Sequence, residues 1–182
     1  MQPHSLRLSI NAYTSALRAD IDYLDQLELP AFQTLTIDCG DIDRRHNEWI
    51  ETLMASGIND QTPVLYYFTF SSPELSRNII ERVKKAKRNS PEFSFPKTNT
   101  SRVSPVLYVG KTNSNFISRF KNHLGLLSTK TYGLNLKHWA AGFTFTLYMA
   151  KLSFGKEELR YLEMLETAMH LSLQPVLGRA GH

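Results

Sequence analysis

VLYVGKTNSNFISRFKNHL, residues 106–124, decides how the rest of the chain is read. An apolar run ends on Gly110, a polar turn follows, and an amphipathic helix opens near Asn115. Phe116, Phe120, Leu124 and Leu127 share one face of that helix, while Arg119 and His123 stand one turn apart along its edge. Two polar groups are therefore placed beside a core rather than opposite it. An arginine so placed can fork onto a phosphate, and a histidine beside it can bond or exchange a proton. Taken singly, each is equally an ordinary surface arginine and a packed edge histidine.

Working outward, PVLYYFTF (63–70) is an uncharged run bounded by Pro63 and Ser71-Ser72-Pro73, the pattern of a buried strand. PVLYVG is a second strand, and FTFTLYMAK (143–151) alternates as a third. Between the first two, SSPELSRNIIERVKKAKRNS predicts a helix with Pro73 at its first position and a Lys/Arg-rich last turn that complements the helix dipole. SPEFSFPKTNTSR reads as the loop returning to the second strand. In TYGLNLKHWAAGF a short helix packs on the sheet with Trp139 in the core, and KEELRYLEMLETAMHLSLQ is a long amphipathic helix ended by Pro175. Upstream, SLRLSINAYTSALRADIDYLDQL and RRHNEWIETLMASGI predict helices and FQTLTIDCG a short strand.

The chain has 182 residues, 42% of them hydrophobic, enough for one sizeable core. No apolar run reaches the roughly 18 residues of a membrane span, and the N-terminus lacks the apolar block of a secretory signal. The expectation is a soluble, cytoplasmic protein without a membrane partner. A lone cysteine, Cys39, excludes an internal disulfide and any multi-thiolate metal site. Charge is uneven. Residues 1–62 carry four Lys/Arg against ten Asp/Glu, residues 71–104 eight against three, and residues 105–182 nine against four. The basic two-thirds suits a polyanion, because neutralising phosphates releases counterions.

Glu166 poses the sharpest physical problem. Along its helix Leu162, Met169 and Leu173 fall within about 40° of one another, Leu159 and Leu165 flank them, and Glu166 lands inside that apolar stripe. A carboxylate there must meet a cation or a metal, or shift its pKa. A structural salt bridge satisfies that requirement as well as a functional one does. Tyr66, Tyr67 and Tyr108 lie in the first two strands, where a buried phenol needs a partner for its hydroxyl. If those strands pair, their tyrosines converge near the start of the Arg119 helix.

VLY (64–66), YVG (108–110), the R-x-x-x-H of Arg119 and His123, and the late-helix Glu166 together resemble the GIY-YIG nuclease domain, in the same order and on the expected elements. LYVGKT followed by RFKNHL is the most specific part, and the resemblance covers residues 63 to 178. It implies an α+β fold, a small three-stranded antiparallel sheet flanked by helices, occupying residues 63–182 behind a mostly helical acidic segment, 1–62. The implied activity is endonucleolytic hydrolysis of DNA phosphodiesters with Mg²⁺ or Mn²⁺. In that reading Glu166 binds the metal, Arg119 stabilises charge on the phosphoryl oxygens, and Tyr66 helps activate the attacking water with Tyr108 supporting it. A phenol with pKa about 10 needs positive charge nearby to act as a base, and His123 and Lys111 are the candidates to supply it. Gly110 permits close approach or an unusual turn at the strand end.

Two features depart from the family pattern. Its first two motifs usually sit on a short hairpin, whereas here a basic insertion, 71–104, separates them. Arg77, Arg82, Lys84, Lys85, Lys87 and Arg88 make that insertion a DNA-contacting surface or a solvated helix. The family also commonly closes its site with an asparagine shortly after a proline. QPVLGRAGH puts Gly178 at that point, and an alternative alignment gives the place to His182. The competing reading is a nucleic-acid-binding or regulatory protein of weakened catalytic power on the same fold. With either reading, the acidic segment is a docking element for a protein partner or a self-masking one.

Overall fold

The computed structural model of the chain describes residues 3–59, 61–127, 132–156 and 158–179, with side chains from residue 7 onward. His182 lies outside the described residues. In chain order the elements are α1 (Pro3–Gln26), β1 (Gln33–Asp38), α2 (Ile42–Ala55), β2 (Val64–Thr69), α3 (Ser76–Asn89), β3 (Val106–Thr112), α4 (Phe116–Leu124), β4 (Thr144–Lys151) and α5 (Leu159–Leu173). Short 3₁₀ turns at Pro73–Leu75 and Leu136–His138 precede α3 and β4. The fold is α+β, with one antiparallel sheet.

That sheet has four strands rather than the expected three, ordered β1-β4-β2-β3. The extra strand comes from FQTLTIDCG, which lies on the outer edge of β4 with Ile37 opposite Phe145 and Leu35 opposite Leu147. Ile37 is fully buried, so the acidic segment contributes a core residue and its backbone hydrogen bonds rather than a detached appendage. Ile42, Trp49, Ile50 and Leu53 of α2 join the same core. A truncation removing residues 1–62 would therefore strip a strand from the sheet and leave an open edge on β4.

The two faces of the sheet divide the labour. Val64, Tyr66 and Phe68 of β2 face the main core, into which α2, α3 and α4 send their apolar stripes. On α3 the stripe is Ile79, Ile80, Val83 and Ala86, at helical spacing that leaves its lysines and arginines outside or at the rim. Leu65 points the other way and packs with Leu152 and Leu162, beneath α5. Tyr67 shares that second face and stacks on Tyr148 at 4.6 Å, so the adjacent tyrosines of β2 serve opposite sides of the sheet. Trp139 is buried, and its indole N–H donates to the Leu134 carbonyl at 2.7 Å.

The free edge of β3 is covered after α5. The Val176 N–H donates to the Val106 carbonyl at 3.0 Å and the Leu177 N–H to the Leu107 carbonyl at 2.9 Å. Residues 97–99 clamp the other side of this returning segment, with the Gly178 N–H on the Lys97 carbonyl and the Asn99 N–H on the Val176 carbonyl. The segment that follows α5, through Gly178, is thereby fixed against β3. Among the described residues, no helix is long and apolar enough to cross a membrane.

Candidate active site

Antiparallel pairing of β2 and β3 sets Tyr66 opposite Gly110 and Phe68 opposite Tyr108. The Tyr66 and Tyr108 rings converge on the main-core side with centroids 6.3 Å apart. Gly110 is what makes room for them: a Cβ there would lie 2.7 Å from Tyr66 Cζ, Tyr66 Oη and Tyr108 Cε1. Gly110→Ala should therefore displace both rings. The expected cost is roughly 1–3 kcal/mol of stability, read by urea unfolding, because overpacking a filled site forces neighbours off their rotamers.

Arg119 ties the two phenols together. Its Nε–H donates to Tyr66 Oη at 3.2 Å and an Nη2–H to Tyr108 Oη at 3.1 Å, while an Nη1–H is held by the Tyr132 carbonyl. A guanidinium has five N–H donors in a fixed fork. Three committed here leave two for a further ligand.

His123 is 1% exposed and its tautomer follows from its partners. The Leu134 backbone N–H donates to Nδ1 at 3.2 Å, so the ring proton belongs on Nε2, which meets Tyr66 Oη at 2.8 Å. Burial, and then the charge of Arg119, hold this imidazole well below its ordinary range. His123 is thus a neutral donor. As a neutral ring His123 supplies no positive charge to the phenols, contrary to expectation; the guanidinium bonded to both hydroxyls is Arg119.

Tyr66 Oη consequently receives two donors, from Arg119 and His123, at a position with no exposure. Burial raises the Tyr66 pKa, and Arg119 offsets part of that rise. Tyr108 is shifted in the same direction for the same leading reason, but it is only partly buried. Of the two phenols, Tyr108 is the one at the solvent boundary.

Glu166 projects from α5 into this neighbourhood and is 7% exposed. Its Oε2 has no hydrogen-bond partner among the described residues. Burial pushes its pKa up to about 7, against the pull of Lys111 and Arg119, while Glu163 adds to the rise. No salt bridge holds Glu166 among the described residues, so the structural pairing that the helix pattern allowed is not what the carboxylate has. An orphaned, buried carboxylate oxygen of this kind fits a hard divalent cation, which is commonly held by one or two carboxylates and completes its shell with water and substrate phosphate. No group of three or more His, Cys, Asp or Glu side chains gathers around it among the described residues, so an ion held by Glu166 would draw most of its shell from water and substrate.

Two participants carried no sequence signal. The Tyr132 carbonyl and Leu134 N–H are backbone groups, identical in every residue type, brought in by the segment that follows α4. His170, one turn beyond Glu166 on the same helix, is 3% exposed with neither ring nitrogen bonded. Burial and then Arg102 hold it below its ordinary range. Its i+4 spacing from Glu166 was the available clue.

Gly178, where the resemblance expects an asparagine, has φ +98° and would bring a Cβ within 2.9 Å of the Tyr108 ring. Asn99 reaches this loop from the other side, donating through Nδ2 to the Pro175 carbonyl at 2.9 Å and the Gly178 carbonyl at 3.1 Å. Gly178→Asn is accordingly expected to lower the melting temperature and to bring no gain in activity, since the side chain would be strained and driven into Tyr108. A stable variant that outperforms the parent would contradict this.

The basic insertion places Arg77, Arg82, Lys85 and Arg88 on the exposed side of α3, whereas Lys84 and Lys87 are half-buried. Lys84 is bound to Glu81 at 2.7 Å. Arg82 donates to the Ala141 carbonyl at 2.9 Å and lies over the Phe143 ring at 4.8 Å. Comparison with known proteins adds no relative to this geometry: no family model, no curated protein and no solved structure matches the chain.

Proposed function

We propose that this chain is a metal-dependent endonuclease of the GIY-YIG type that hydrolyses phosphodiester bonds in DNA. The observation that carries the reading is the Arg119 fork, which bonds both tyrosine hydroxyls and keeps two N–H donors for an anion, beside a buried carboxylate with an unpartnered oxygen. An ionised carboxylate buried in this way is costly unless a cation completes it, and the alternative is to hold a proton.

Hydrolysis adds water across a P–O bond: the attacking oxygen loses a proton and the leaving oxygen gains one. Arg119 meets the negative charge that builds on the phosphoryl oxygens and is already oriented by Tyr66, Tyr108 and the Tyr132 carbonyl, so no reorganisation is needed as that charge appears. Tyr108, at the solvent boundary and bonded to Arg119, is better placed than the buried Tyr66 to give up its own proton to solvent and, as the phenolate, to take the proton of an incoming water. Tyr66 fixes Arg119 from behind, and His123 fixes Tyr66. Mg²⁺ or Mn²⁺ held by Glu166 would supply Lewis-acid polarisation of the scissile phosphate.

Two observations favour a second reading. Tyr66 is shut off from solvent and Gly178 offers no side chain beside Tyr108, as expected of a nucleic-acid-binding protein that retains the scaffold with weak catalysis. Labelled duplex DNA, single-stranded DNA and RNA of one sequence, incubated with Mg²⁺ or Mn²⁺ and resolved by length, separate the two. The nuclease reading expects shortened DNA with metal present. Binding without cleavage of any of the three selects the second reading.

A further inference from the structure

Away from the tyrosines, an open cleft of about 490 Å³ lies between α3 and the 3₁₀ turn at Leu136–His138. Arg82, Lys85, Asn89 and Ser90 line one wall, His138 and Trp139 the other. No carboxylate lines it among the described residues. Arg82 and Lys85 are exposed, and the first is held in place by the Ala141 carbonyl and the Phe143 ring. His138 is positioned by its contact with Phe93, ring centroids 4.0 Å apart. With Arg82 and His138 already held, those two side chains forfeit little entropy when an anion enters.

The cleft is joined to the candidate active site by one stretch of chain. Residues 132–139 hold Arg119 through the Tyr132 carbonyl and His123 through the Leu134 N–H, and they end by supplying His138 and Trp139 to the cleft. Six residues lead from Tyr132 to His138, at most about 20 Å of chain. We infer that the cleft is a second phosphate subsite, receiving a backbone phosphodiester of the same nucleic-acid strand whose scissile phosphate lies at Arg119. This rests on the nuclease reading and deepens it. Of the basic residues in the 71–104 insertion, Arg82 and Lys85 contact substrate; Lys84, tied to Glu81, and the half-buried Lys87 do not. His138, Asn89 and Ser90, outside the charge pattern, complete the subsite.

The test uses the full chain with a fluorescein-labelled 20-base-pair duplex in EDTA, so that binding is read without cleavage. Lys85→Glu is expected to weaken binding about tenfold near 0.15 M salt, and Lys85→Gln to reduce the slope of log affinity against log salt by about one, as loss of one phosphate contact requires. Lys85→Arg should restore both. Arg44→Gln on α2 should change neither. Inorganic phosphate in millimolar excess should compete no better than its ionic strength accounts for, because a backbone phosphate is delivered by its strand; specific competition would make the site one for free phosphate and overturn the assignment. Lys85→Glu binding within twofold of the parent with an unchanged slope would also overturn it, while leaving the nuclease reading intact. Conversely, a duplex bound through Lys85 but never cut with Mg²⁺ or Mn²⁺ would sink the nuclease reading and keep the cleft as a nucleic-acid contact.

Discussion

Arg119→Lys should abolish detectable cleavage, with a loss of at least about 10²–10³-fold, the range expected when a preorganised donor to a developing oxyanion is removed. Lysine keeps the charge and loses the geometry. A single ammonium cannot reach Tyr66 Oη, Tyr108 Oη and the Tyr132 carbonyl while also facing a phosphate, which the planar fork of Arg119 can do. The damage extends to folding. With the fork gone, Tyr108 loses a hydroxyl partner and Tyr66 one of its two, and each buried polar group left unpaired costs roughly 1–3 kcal/mol. Urea unfolding of Arg119→Lys and Arg119→Ala should show both destabilised, with neither active. A lysine variant retaining a tenth or more of parental cleavage would mean that charge alone, and not the fork, is used.

Glu166→Gln should do the opposite to stability. The carboxyl of Glu166 is raised from 4.5 to about 7 in the folded chain, chiefly by burial. A raised carboxyl binds its proton more tightly when folded, so its burial carries no penalty below about pH 4.5. The penalty then grows as pH rises and is complete above about pH 7, where it reaches on the order of 3 kcal/mol. Glutamine never ionises. The variant should therefore match the parent near pH 4.5 and melt several degrees higher at pH 8, read by thermal unfolding at the two pH values. Adding Mn²⁺ at pH 8 should raise the parent's melting temperature and leave the variant's unchanged, because only the parent offers a carboxylate. Cleavage should fall in the parent as pH drops below about 7 and be absent in the variant throughout. A variant less stable than the parent at pH 8 would mean that the Lys111 backbone N–H and the nearby Lys111 and Arg119 charges stabilise the carboxylate by more than burial costs it.

How much of this was legible beforehand differs by element. β2, β3, β4 and α3 to α5 carried strong period-2 or period-3.6 signals and bounded themselves with Pro, Gly and Ser. β1 was legible as a strand, but its place in the sheet was not: QTLTID pairs with β4 through more than a hundred residues of intervening chain, and nothing local specifies that register. Tyr66, Tyr108, Arg119, His123 and Glu166 could be picked out by residue type and order, and the first four share a bonded network in the structure. Their division of labour could not. That Tyr66 is sealed and Tyr108 reaches solvent depends on how α4 and the 132–139 segment close over β2, and that His123 donates depends on one backbone N–H. On α3 the run of basic residues was legible, but charge composition does not show that Lys84 meets Glu81 or that Lys87 is half-buried.

The most direct measurement is conversion of supercoiled plasmid by the purified full chain with Mg²⁺ or Mn²⁺, beside the same reaction in EDTA and beside Glu166→Gln. The account predicts nicked or linear product from the parent only, and only with metal present. Intact plasmid from a folded parent that binds it, or cleavage by Glu166→Gln at the parental rate, would contradict the assignment of Arg119, the two tyrosines and Glu166 as a phosphodiester-hydrolysing site.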